Sequence, residues 1–139
     1  MIDLDRSIAF REGHIPGAAW GIRTRLSLLG ARIAAAPRVV LTSPDGALAQ
    51  LAVEEAQALT AAPVLVLAGG SAAWRRAGLA LQRDRLVPSD EQCVDFHLRP
   101  YDRNSGVEAA MQAYLTWEID LVDEIVRDGT VAFGVATAK

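Results

Sequence analysis

Val39-Val40-Leu41-Thr42-Ser43-Pro44-Asp45-Gly46-Ala47-Leu48 is the stretch in which the period of the chain changes. A β-branched, apolar run from Arg38 to Thr42 reads as a buried strand. It stops at a Ser-Pro-Asp-Gly punctuation, and an Ala/Leu/Glu/Gln-rich segment follows from Ala47 to Ala61 with helical spacing of Leu48, Leu51, Ala52, Glu55 and Leu59. A junction of this kind aims backbone N–H groups and a helix start at one point, which in an open α/β sheet is the usual place for a site. The pattern then repeats. Pro63 to Ala68 holds a second continuous apolar run, expected to be a strand covered on both faces. Gly69-Gly70 turns the chain, and Ser71 is placed to cap a short helix through Trp74 to Ala77 that Gly78 closes. Strands alternating with helices predict an α/β fold with a parallel sheet.

Working back towards the start, Met1-Ile2-Asp3-Leu4 reads as the tail of a strand, so the chain is expected to begin inside an element. Ser7 would cap a helix over Ile8 to Glu12, ended by Gly13. His14-Ile15-Pro16-Gly17-Ala18 is a loop leading to a short apolar piece at Ala18-Ala19-Trp20, and Arg25 to Ala36 is helix-prone around an interrupting Gly30. Working forward, Leu79 to Tyr101 is polar and lacks a sustained period. Ser105-Gly106-Val107-Glu108 has the form of a capping box ahead of a long amphipathic helix, which Asp128-Gly129 ends. Thr130 to Val135 is a candidate last strand.

The bulk properties bound the function. The 139 residues suit one domain with a real core, and 51% hydrophobic with 22% charged residues is ordinary for a globular chain. Its 14 basic and 17 acidic residues leave a net charge of -3, and the basic ones are scattered, which argues against nucleic acid or an anionic membrane as the main partner. The lone cysteine excludes an internal disulfide, and the lack of a secretory signal or a spanning segment makes the cytoplasm the expected location.

Asp3-Leu4 followed by Phe10, then Gly13-His14-Ile15-Pro16-Gly17-Ala18, resembles the rhodanese family of sulfurtransferase domains. Leu67-Ala68-Gly69-Gly70-Ser71-Ala72-Ala73-Trp74 is similar to a second hallmark of that family at the expected distance. The resemblance covers residues 1–80. It implies a three-layer α/β/α domain with a parallel sheet of about four or five strands, lacking the family's first strand and helix. Residues 81–139 are then a C-terminal extension with a long amphipathic helix at about 105–128, of which Ala113-Tyr114-Leu115-Thr116-Trp117-Glu118 looks like the tail of larger, multidomain relatives. No cofactor is implied.

Between the two motifs the family keeps a Cys-x-x-Gly-x-Arg loop whose thiolate takes up a sulfur as a persulfide. Laid onto that pattern, this chain reads Ser43-Pro44-Asp45-Gly46-Ala47-Leu48. The glycine is kept; Ser43 replaces the cysteine and Leu48 the cation. A serine cannot carry a persulfide, Asp45 adds negative charge beside an anion site, and Pro44 removes a backbone donor. The resemblance therefore implies a degenerate loop and a catalytically silent domain with a structural or regulatory role. Its parent would be a longer thiosulfate or 3-mercaptopyruvate sulfurtransferase. The alternative is an active sulfurtransferase that uses Cys93, or a cysteine from another domain or subunit.

Other candidates have a plainer reading beside the chemical one. His14 has the chemistry of a general base, but in its motif it is expected to hold the loop. Asp3, Gly13, Pro16, Gly17, Gly69, Gly70 and Trp74 are likewise expected to be structural. Cys93, Asp95 and His97 would share one face of an extended strand, yet match no metal motif, so no metal is expected. The expected partner is a neighbouring rhodanese domain of the same protein or a second copy of the chain.

Overall fold

The structure, a computed structural model, describes residues 1–129. Two units are distinguished, Met1–His97 and Leu98–Lys139.

In the first unit four strands form one sheet in the order β2-β1-β3-β4. They are β1 (Ile2–Asp3), β2 (Ala19–Trp20), β3 (Val39–Thr42) and β4 (Val64–Val66), and every pairing is parallel. Parallel strands need crossovers, and helices supply them: α1 (Ser7–Glu12), α2 (Gly30–Ala34), α3 (Ala47–Leu51) and α4 (Val53–Gln57); α5 (Gly70–Arg76) follows β4. The α/β class and the parallel sheet expected from the sequence are present.

Strand alternation decides where the core lies. Ile2, Val39, Leu41, Val64 and Val66 turn to one face and pack with Leu26, Ile33, Ala49, Ala52 and Ala56. The small Ala49, Ala52 and Ala56 let α3 and α4 approach that face closely. Asp3, Val40, Thr42 and Leu65 belong to the other face, as the register Asp3↔Thr42 and Val40↔Leu65 requires. Here one expectation is corrected. β4 is not covered on both faces, because it is the edge strand and Leu65 is 47% exposed.

Several helix ends also differ from the local reading. Ser7 lies inside α1, and the backbone N–H it contributes is bonded by the Asp95 carboxylate from 88 positions away, at 2.8 Å. Ser71 is not a cap either; α5 starts from Gly69 in the left-handed region. The segment from Ala47 breaks at Ala52 into two short helices, and the stretch before Pro37 is a 3-10 helix over Arg23–Leu29 followed by α2.

Residues 81–97 wrap onto α1. Gln82 pairs with His14 through both backbone bonds at 2.9 Å, and the Arg11 guanidinium donates to the Pro88 carbonyl and pairs with Asp90 at 2.9 Å. Both partners of that ion pair are almost fully buried. No short-range pattern announces this strap, since each contact joins positions about 70 to 90 apart.

The second unit holds α6 (Val107–Asp128). Gly129 ends it in the left-handed conformation, as the Asp-Gly signal implied. The capping box does not form, because Gly106 is the N-cap and Ser105 makes no cap bond. The candidate strand at 130–135 lies outside the described residues.

Candidate functional site

Three stretches carry the motifs: residues 13–18 precede β2, whereas 43–48 and 69–75 follow β3 and β4 and so start at the C-terminal ends of the parallel strands. The first is fixed from two sides. Gly13 is the C-cap of α1, and its carbonyl accepts from the Arg75 guanidinium at 2.8 Å. Ala18 N–H closes a turn on Ile15 around Pro16 and Gly17, where Gly17 takes a φ of 78°. Trp74 holds its own helix exit, its indole donating to the Ala80 carbonyl at 2.9 Å.

His14 is buried. Its Nδ1 lies 2.7 Å from the Phe10 carbonyl, which can only accept, so Nδ1 carries the proton. The ring stacks on Phe10 with 3.7 Å between centroids and an interplanar angle of 2°. Asp3 is buried too, accepts from Asp5 N–H at 3.0 Å, and lies within the fields of His14 and Arg75. Burial pushes its pKa above the ordinary carboxylate value, against the opposing pull of the Asp5 hydrogen bond. The hydroxyls of Ser7 and Ser71 are buried without a hydrogen-bond partner among the described residues, and nothing in the structure explains them.

The 43–48 loop is the one aimed at by strand and helix together, and two of the N–H groups there, those of Ala47 and Ala49, are engaged by its own side chains. The Ser43 side chain has no exposure, and its Oγ accepts from Ala49 N–H of α3 at 3.2 Å. Asp45 Oδ1 accepts from Ala47 N–H at 2.9 Å. Gly46 takes a φ of 91° to start the helix, and Pro44 brings no N–H. From the other side, Ser71 and Ala72 N–H donate to the Ser43 and Pro44 carbonyls at 3.0 and 2.9 Å. The start of α5 thus satisfies two carbonyls of the loop.

Gly70 explains how close this packing is. A Cβ there would lie 2.1 Å from the Ser43 carbonyl oxygen and 2.6 Å from Gly46 N, and the residue has a φ of 60°. Only glycine fits. Leu48, in the first turn of α3, is partly exposed and offers no charge.

Cys93 is elsewhere. It follows a 3-10 turn (Asp90–Gln92) in the strap, is 3% exposed, and its Sγ lies 3.9 Å from the Pro88 carbonyl. Residues 93–97 do not form a strand, so the alternation of Cys93, Asp95 and His97 does not bring them to one face, and Asp95 is engaged at α1. Among the described residues no group of three or more His, Cys, Asp or Glu side chains is placed to hold a metal, and no helix is long and apolar enough to cross a membrane. The residues that sequence reading missed are Arg11 and Asp90, and the role of Asp95 at α1; their partners are remote along the chain.

Over 96% of its length the chain superposes on part of a thiosulfate sulfurtransferase from Pseudomonas aeruginosa, with 40% identity and a TM-score of 0.77. A rhodanese-like domain from Anabaena sp. matches 60% of this chain and 89% of its own, with 20% identity and a TM-score of 0.52. The fold is rhodanese-like. This rhodanese-like chain spans about a quarter of the sulfurtransferase it resembles, 25% of that protein's length. No family model matches the sequence, and no curated protein does. Within the rhodanese-like frame, the three loops described above are the 13–18 motif, the 43–48 junction and the 69–74 motif of the sequence.

Proposed function

We propose that this chain is a catalytically silent rhodanese-like domain, serving a structural or regulatory role as part of a longer sulfurtransferase-related protein. The observation that carries the reading is Ser43. It stands at the position that the family resemblance assigns to the sulfur-carrying cysteine, and it is buried with its Oγ accepting from Ala49 N–H. A hydroxyl so placed satisfies a helix start; among the described residues no base is hydrogen-bonded to it, and its chemistry cannot hold a persulfide.

Two further features support it. The Asp45 carboxylate occupies Ala47 N–H, one of the donors an anion would need, and Leu48 supplies no cation. The match to a quarter of a thiosulfate sulfurtransferase supports a place within a larger chain whose other parts carry the transfer. The alternative through Cys93 draws no support from its position, which is buried and in a different loop from the 43–48 junction.

The test is thiocyanate formation from thiosulfate and cyanide by the isolated chain, beside Cys93→Ser. The expected result is no thiocyanate above the protein-free rate in either. Turnover that disappears in Cys93→Ser would replace this reading with the alternative.

A further inference from the structure

The helix α6 carries a surface that the sulfur chemistry does not account for. Met111, Leu115, Ile119, Val122 and Val126 are spaced i, i+4, i+8, i+11 and i+15, which places them along one stripe of the helix. All five are exposed, Ile119 and Val126 by 74% and 75%. This is the spacing by which an amphipathic helix fills an apolar groove of another protein.

The charge on the helix says what kind of groove. α6 bears Glu108, Glu118, Asp120, Asp123, Glu124 and Asp128 against the single Arg127, a net of −5. Residues 1–97 carry ten charges of each sign, so the acidic excess of the chain is concentrated here. Glu118 matters most. At 100° per residue it flanks the stripe, between Tyr114 on one side and Met111 and Val122 on the other. The Tyr114 hydroxyl is hydrogen-bonded to it, which holds the carboxylate at that place.

Glu118 also bears on the choice between a second copy and a different partner. It sits at the middle of the 22-residue helix. Pairing α6 with its own copy sets two helices of net charge −5 against each other, and antiparallel about the midpoint it brings Glu118 beside Glu118 at the flank of the contact. Like charges there oppose association, whereas a Lys or Arg would be matched.

We propose that α6 docks through this stripe into an apolar groove on a different protein surface, one whose rim carries Lys or Arg opposite Glu118 and its acidic neighbours. The proposal rests on the structural or regulatory role proposed above and gives the partner in that role its chemistry. It is independent of whether the chain transfers sulfur.

The probe is a synthetic amphipathic helix of Leu and Lys, compared with its Leu/Glu counterpart, titrated calorimetrically into the full chain. The expected result is binding of the Leu/Lys helix alone, weakened at least tenfold in Ile119→Glu/Val126→Glu and in Glu118→Lys. The double variant changes only strongly exposed positions, and circular dichroism checks that the helix persists in it. Equal binding of both peptides, binding of neither, or binding indifferent to these substitutions overturns the proposal. So does a concentration-dependent dimer in sedimentation equilibrium that Ile119→Glu/Val126→Glu dissolves, which makes a second copy the occupant. The thiocyanate assay reads the silent-domain assignment separately, so failure of one is distinguishable from failure of the other.

Discussion

Replacing Gly70 by alanine should be the most damaging single-methyl change among the described glycines. The added Cβ would fall 2.1 Å from the Ser43 carbonyl oxygen, 2.6 Å from Gly46 N and 2.8 Å from the Asp45 carbonyl carbon. All three are backbone atoms, which cannot rotate away. The two bonds from Ser71 and Ala72 to the loop carbonyls must lengthen or break, at about 1 kcal/mol each. The left-handed φ of 60° adds about 1–2 kcal/mol for a residue with a Cβ. Allowing for residual strain, the loss should be about 3–5 kcal/mol. Gly78→Ala is the matched control, since its φ is 68° but a Cβ there meets nothing within 4 Å. That change should cost only about 1–2 kcal/mol. Urea unfolding of both variants at one pH reads the difference. Equal losses would refute the claim that the 43–46 loop and the start of α5 form one closed joint.

Ser43→Ala should destabilise by about 1–3 kcal/mol in the same assay, because Ala49 N–H loses its buried acceptor; a neutral result would contradict the structural role given to the hydroxyl. Arg11→Ala removes a buried ion pair with Asp90 together with the bonds to the Pro88 carbonyl and should cost about 3–5 kcal/mol. Limited proteolysis should then cut within 81–97 before it cuts elsewhere, and an unchanged cleavage pattern would show that the strap is held by other contacts. Asp3 gives a pH signature. Burial raises its pKa in the folded chain, so the native state holds the proton more tightly than the unfolded one. Stability contributed by this group is therefore present at acid pH and lost as pH rises from the unfolded value, about 4, through the raised folded value. Asp3→Asn keeps an acceptor for Asp5 N–H and removes the titration. Its stability relative to the natural chain should improve as pH rises across that window, and a pH-independent difference in urea midpoints would count against the assignment.

How far the sequence could be read follows from the range of the interactions involved. The strand at Val39–Thr42, the turn before α3 and the Gly69-Gly70 entry to α5 are encoded by neighbours within a few positions, so they were legible. The Gly13–Ala18 and Gly69–Trp74 motifs were visible as strings, but not that Arg75 would tie one to the other through the Gly13 carbonyl. Helix starts failed for a related reason. Ser7, Ser71 and Ser105 each had the local form of a cap, yet Asp95 took the first role from far along the chain, and glycines in the left-handed region took the others. Leu65 was misjudged because an edge strand and a central one can share an apolar run; only the sheet order separates them. At the site, the residue types were legible, while the engagement of the Ser43 hydroxyl by Ala49 N–H needed the fold.

The central claim is that the 43–48 junction keeps its shape without sulfur-transfer chemistry. Intact-mass measurement after incubation with thiosulfate tests it most directly, on the natural chain and on Ser43→Cys/Leu48→Arg, which restores both missing groups. The account predicts no added sulfur on the natural chain and one cyanide-removable sulfur on the double variant. A persulfide on Cys93 of the natural chain would contradict it.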